Sequence, residues 1–267
     1  MKPESGGRGR GPKAGGVPRD DFSRRDFLAF GIGGTLFGWL PWFKPKRIGL
    51  AGAQFQILRT KHARRHYVQI HGDEGTAREV LLTHMESHPG IAFVIESRTR
   101  DVPIQSGKID PNRMFSRVGA QANLAHLNPN WTQEQTDDAL DQLDEGREKL
   151  LRALFPSDNR LLIALHNNSE AYSVNNELDL SERGSLKQPD NPHAFFLCTD
   201  PNDYRILADG PYNVVLQQFV RAPDDGSLSR RAAARYQRYV NLEVRMGDAA
   251  RQREMLEWAD GRLPDEG

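Results

Sequence analysis

His71 and Glu74 stand three residues apart in the stretch HGDE, where a run of β-type residues stops and a helical pattern begins. An imidazole and a carboxylate at that spacing can close two ligands on one metal ion. A catalytic zinc takes three protein ligands, commonly two imidazoles and one carboxylate, and keeps a position for water. His166, at the end of the apolar run LLIAL, offers the second imidazole from another strand end. The competing reading is a plain ion pair between His71 and Glu74 in a polar loop. Placement at strand ends favours the metal, because ligands of open α/β sheets gather beyond the carboxyl ends of the strands. Glu243 sits inside the apolar run VNLEV, where an unpaired carboxylate is costly. It therefore either does chemistry or pairs with a cation such as Arg235 or Arg245. The loop GKIDPNRMFSR carries Asp110, Asn112 and Arg113, and Arg113 can serve a ligand, Asp110 or both. Arg98 and Arg100 follow a strand-like run in ESRTRD. His84 and His88, four apart near the end of a helical stretch, have chelating spacing but read as a solvated helix end. Cys198, the only cysteine, lies in the apolar run HAFFLC and reads as a small core residue.

These residues need a scaffold. Strand-like runs cover 66–71, 91–97, 160–167, 193–198, 212–219 and 239–245, and several are continuously apolar, as expected of strands covered on both faces. Helix-like runs over 76–88, 131–155, 227–240 and 248–259 alternate with them. Thr132 reads as the N-cap of the second of these. Alternation of this kind predicts an α/β fold: a single domain with a mixed, mostly parallel sheet sandwiched between helices. The polar stretch 167–192 is long for a connection and is expected to serve function.

Charge divides the chain. Residues 1–53 hold 10 Lys/Arg against 4 Asp/Glu, and the rest holds 26 against 32, so a basic head precedes an acidic body. An acidic body argues against nucleic acid as a partner. The Gly/Pro/Arg-rich head leads into SRRDFLAFGIGGTLFGWLPWF, where paired Arg24 and Arg25 resemble a bacterial twin-arginine signal followed by its mildly apolar segment. AGA at 51–53 has the pattern of a cleavage site, although KPKR at 44–47 leaves room for an uncleaved anchor. The expected division is a leader over 1–53 and a catalytic domain over 54–267. The expected location is the periplasm or the outer face of the inner membrane, with the export machinery as a partner and membrane contact through the N-terminal segment alone.

HGDE, DPNRMF, ALHNN and NLEV, in that order over roughly residues 65–250, resemble the motif set of the zinc carboxypeptidase superfamily, in its succinylglutamate desuccinylase/aspartoacylase-like branch. The resemblance implies zinc held by His71, Glu74 and His166. It implies that Asn112 and Arg113 grip a substrate carboxylate, that Glu243 is general base and then acid, and that Arg98 or Arg100 polarises the scissile carbonyl. The implied substrate is a small peptide or an N-acyl amino acid.

Overall fold

The computed structural model describes residues 46–219 and 222–265. The twin-arginine motif, and with it Arg24 and Arg25, lies outside them. The strands are β1 (Arg47–Leu50), β2 (Ala53–Arg59), β3 (Arg65–Gln69), β4 (Gly90–Ile95), β5 (Val102–Ile104), β6 (Gly107–Ile109), β7 (Leu162–Asn168), β8 (Arg183–Ser185), β9 (Phe195–Cys198), β10 (Asn213–Leu216) and β11 (Tyr239–Arg245). The helices are α1 (Gly75–Met85), α2 (Arg117–Leu127), α3 (Gln133–Leu154), α4 (Val174–Leu178), α5 (Pro201–Ala208), α6 (Leu228–Ala234) and α7 (Ala249–Arg262). A 3₁₀ turn, Pro111–Arg113, precedes α2.

Nine strands form one mixed sheet in the order β1-β2-β4-β3-β7-β11-β9-β10-β8, and β5 pairs with β6 apart from it. The four central strands, β4, β3, β7 and β11, run parallel. Antiparallel pairings flank them on both sides. The fold class is thus the expected one, an α/β domain with helices on both faces. Period-2 alternation sorts the strand residues. Leu162 and Ala164 of β7 face one core with α2, α3 and α6, while Ile163 and Leu165 face the other with α1, α5 and α7. Burial on both faces is why these runs are continuously apolar.

Local chemistry sets several element boundaries. Thr132 caps α3 through a capping box: its hydroxyl accepts from Gln135 N, and the Gln135 side chain accepts from Thr132 N at 2.9 Å. The run over 227–240 does not stay helical. It ends at Ala234, Tyr236 takes a positive φ of 53°, and the chain joins the sheet at Tyr239.

The expected leader reaches into the described residues at 46–53. β1 lies within the expected leader, pairs with β2 from Arg47 to Leu50, and buries Leu50 in the core. Cleavage after Ala53 would strip an edge strand from the sheet. No helix among the described residues is long and apolar enough to cross a membrane.

Candidate metal centre and cleft

The parallel register of β7 and β11 places Glu243 directly beside His166. The alternation that sends Leu162 and Ala164 into the core carries His166 and Asn168 to the same face further along, and Tyr239, Asn241 and Glu243 follow the same rule on β11. At the carboxyl ends this face opens into a cleft of about 690 Å³, lined among others by His71, Glu74, Arg100, Arg113, His166 and Glu243. A separate cavity of about 470 Å³ lies at the opposite strand ends, against Ile57, His66 and Phe93. Among the described residues that line it, no three His, Cys, Asp or Glu side chains converge.

His71 follows β3, and Glu74 is the residue before α1. The turn between them requires Gly72. A Cβ there would lie 2.6 Å from the carbonyls of Ser97 and Thr99. That close approach draws the 97–100 segment onto the turn and puts Arg100 Nη1 at 3.3 Å from Glu74 Oε1 and Nη2 at 3.5 Å from Asp110 Oδ2. Arg98 is exposed and does not line the cleft. Of the two arginines read from ESRTRD, the fold brings only Arg100 to the site.

Three candidate ligand residues converge. His71 Nδ1 lies 2.7 Å from Glu74 Oε1 and 3.2 Å from His166 Nδ1, and His166 Nδ1 lies 3.2 Å from Glu74 Oε2. Ligands bonded at ~2.0–2.2 Å around a tetrahedral ion stand about that far apart. Glu74 Oε2 is buried with no hydrogen bond beyond its 3.2 Å contact with His166 Nδ1, which leaves it available to an ion. On the other side of the ring, His71 Nε2 lies 2.9 Å from Asp110 Oδ1. A proton held there by the carboxylate leaves the Nδ1 lone pair for a metal, the arrangement by which outer carboxylates orient ligand imidazoles. Asp110 is itself fixed: its Oδ1 accepts from Asn112 N, and its own N–H donates to Asn123 Oδ1. The set therefore fits a metal ion, and Asp110 belongs to it as the orienting group rather than as a partner of Arg113.

Without a metal the cluster holds a proton. Burial opposes a charge on His71, but Glu74 and Asp110 outweigh it and raise the ring to about 9. Burial likewise opposes ionisation of Glu74, and the neighbouring His166 and His71 overcome it and hold the carboxyl well below its usual range. Metal entry must displace the His71 proton, so affinity falls as pH falls.

Glu243 pairs with neither Arg235 nor Arg245, which bind Glu148 and Glu170 instead. Its carboxylate accepts from Asn241 Nδ2 at 3.0 Å and from Asn168 Nδ2 at 3.3 Å. Burial pushes its pKa up, with the charge of Glu74 adding to the effect. Arg113 lies at the cleft, its Nη1 donating to Asn112 O and standing 3.7 Å from Asp225 Oδ2. Gly226 fixes this edge. It has φ +79°, and a Cβ there would meet Arg113 O at 2.2 Å, so the 222–227 loop packs directly on the turn that carries Arg113. Asn112 also lines the cleft, and its Oδ1 accepts from Leu228 N.

Several cleft residues escaped the sequence reading. Asn168 and Asn241 stand two residues from His166 and Glu243, and period-2 alternation alone would have put each pair on one face. Arg230 has a 9 % exposed side chain 4.0 Å from Asp225, and its buried Nη1 makes no hydrogen bond. Nothing in SRRAAA distinguishes it from a surface arginine. Tyr172 and Glu177, from the long polar stretch, also line the cleft, with the Tyr172 hydroxyl donating to Glu177 Oε1.

No protein-family model matches the sequence, and no curated protein does. Three solved structures align with most of the chain. A candidate metallopeptidase of Shewanella baltica OS155 shares 12% identity over 82% of this chain and 86% of its own, with a TM-score of 0.45. The succinylglutamate desuccinylase of Chromobacterium violaceum shares 14% over 84% and 76%, with a TM-score of 0.43. A candidate metallopeptidase of Shewanella amazonensis SB2B shares 14% over 82% and 84%, with a TM-score of 0.39. What the cleft can do is accordingly judged from its own atoms.

Proposed function

We propose that this protein is a zinc-dependent hydrolase that cleaves an amide bond next to a free carboxylate. The observation that carries the reading is the convergence of His71 Nδ1, Glu74 and His166 Nδ1 beside the buried Glu243, which among the described residues pairs with no cation. Zinc bound there supplies a Lewis acid and lowers the pKa of a water molecule. Glu243 takes a proton from the attacking water and returns it to the leaving nitrogen. Burial raises the pKa of this carboxylate above its usual range, which strengthens it as a proton acceptor. Asn168 and Asn241 hold its two oxygens in place. Arg100, at the rim beside Glu74 and Asp110, stabilises the charge that grows on the carbonyl oxygen. Arg113 grips the substrate carboxylate with its planar fork; Asn112 supports the turn from which it reaches. The substrate is a peptide C-terminus, a cell-wall peptide or an N-acyl amino acid, and turnover of such a panel by the zinc-loaded protein tests the reading. Absence of hydrolysis across the panel would favour a binding protein on this fold.

Arg113→Ala is expected to raise KM for a carboxylate substrate by roughly tenfold or more while changing kcat less, as for loss of a charge-assisted contact made already in the ground state. A matched carboxamide substrate should lose nothing. Unchanged KM for both would remove Arg113 from recognition.

The leader is proposed to send the folded protein through the twin-arginine machinery to the periplasm or the outer face of the inner membrane. The support is the paired Arg24 and Arg25 ahead of a Gly-rich apolar run. Lysine at both positions should block export of a fused reporter, and undiminished export would refute the route.

A further inference from the structure

The cavity of about 470 Å³ at the strand ends opposite the cleft has an apolar floor and a basic rim. In-register pairing builds the floor. Arg59 of β2 lies opposite Ile91 of β4, which lies opposite His66 of β3, and Ile57 and Phe93 form the neighbouring row. α3 ends at Leu154, and Ile57 and Ile91 stay only partly buried. The rim comes from four segments: Arg59 at the end of β2, Arg64 before β3, Arg152 in the last turn of α3 and Arg160 before β7.

Asp158 is the one carboxylate among the described residues that line this cavity. It stands 2.7 Å from Arg160 Nε, and Arg64 reaches Asp265 at 3.9 Å. Arg59 and Arg152 have no carboxylate partner among the described residues. His66 adds no charge: burial lowers its pKa, and Arg59 and Arg160 push the same way against the bond from its Nδ1 to Leu154 O. This basic end stands on an acidic body, since residues 54–267 hold 26 Lys/Arg against 32 Asp/Glu. Arginine stems lying flat on the sheet would make an ordinary solvated face. They would then cover Ile57 and Ile91 rather than leave a cavity over them.

Unpaired guanidinium groups around an apolar floor suit a ligand with an anionic head and an apolar tail. The chain points to its source. Lys46 lines the cavity, and the apolar run Phe27 to Phe43 ends three residues before it. Three residues span at most about 11 Å. An anchor ending at Phe43 would therefore hold this face at the headgroup layer, where phosphates meet the acyl chains.

We propose that this cavity binds an anionic phospholipid, with the rim arginines on its phosphate and Ile57, Ile91 and Phe93 against the start of an acyl chain. The choice of a membrane lipid rests on the proposed leader. Stable attachment to a bilayer commonly takes two signals, and the lipid supplies the second. It turns this end of the sheet to the membrane and leaves the cleft, at the other end, facing solvent.

The test is calorimetric binding of monomeric dihexanoyl phosphatidylglycerol to the full chain, beside dihexanoyl phosphatidylcholine and inorganic phosphate. The wild type should bind the anionic lipid about tenfold more tightly than either comparison, as for a charge-assisted contact added to apolar burial. Arg59→Gln/Arg152→Gln changes two exposed side chains and should spare the fold. It should bring the anionic lipid down to the level of the neutral one. Arg183→Gln/Lys187→Gln makes the same charge change on and beside β8, at the far edge of the sheet, and should keep the preference. A wild type that does not prefer the anionic lipid would overturn the site. So would equal losses in the two double variants, which would reduce the effect to net charge. Inorganic phosphate bound as tightly as the lipid would overturn it too, because the apolar floor would contribute nothing. The export assay reads the leader by itself, so its failure and the failure of lipid binding are told apart.

Discussion

Glu243→Gln is expected to lower kcat by roughly 10²–10⁴-fold with KM and bound metal little changed. The substitution is nearly isosteric. A glutamine carbonyl can still accept from Asn168 or Asn241, which now hold the carboxylate at 3.3 and 3.0 Å. What it cannot do is take a proton from water. Glu243 is not among the three converging ligand residues, so zinc content should match the wild type. This separates chemistry from structure: a structural Glu243 would show itself in stability, and a catalytic one in turnover. Near-full turnover with zinc in place would mean that the general base lies elsewhere, and Glu243 would then be a satisfied polar residue of the sheet.

His166→Ala should cost the cleft its metal and, with it, the hydrolysis. His166 contributes one of two ligand imidazoles, and its Nδ1 lies 3.2 Å from both His71 Nδ1 and Glu74 Oε2. Asp110→Ala is the graded companion. It leaves all three ligands and removes the group that holds the His71 Nε2 proton, along with its contacts to Asn112 N and Arg100, so affinity should fall by about 10–100-fold, as is typical when an outer partner is lost. Metal titration of the two variants should rank wild type above Asp110→Ala and Asp110→Ala above His166→Ala. Cleft zinc in His166→Ala equal to the wild type would take His166 out of the site. An Asp110 variant as weak as the His166 variant would make Asp110 a ligand rather than an orienting group.

The central sheet was readable because its strands are buried on both faces. Runs such as LLIAL and VNLEV have no polar alternation to blur them, and β11 appears over the very residues expected. The edge elements were not readable. β1, β2 and β8 are short or half-exposed, and they owe their existence to the neighbour that supplies their hydrogen bonds. α2, with Gly119 and Asn123 in its sequence RVGAQANLAHL, carries little helical signal. It forms where Ala120 and Leu124 can enter the core.

In the candidate site, residue types at strand ends pointed to His71, Glu74 and His166, and the resemblance of the motifs implied the roles of Glu243 and Arg113. Their chemistry is written in short motifs at strand ends, and strand ends follow from local hydrophobic pattern. Which arginine reaches the cleft, what orients His71 and what accompanies Arg113 could not be read that way. Arg98 and Arg100 are two residues apart and differ only in where the Gly72 contact places the loop. Asp110 meets His71 across 39 residues, and Arg230 reaches the cleft because α6 packs beside β11. His84 gives the same lesson in reverse: its sequence suggests a solvated helix end, but α7 covers it and brings Asp260. Hydrophobic period is a local property of the chain, so sequence alone determined the central strands and the residues at their ends. Contacts between distant segments depend on how whole elements pack, and only the tertiary structure decided them.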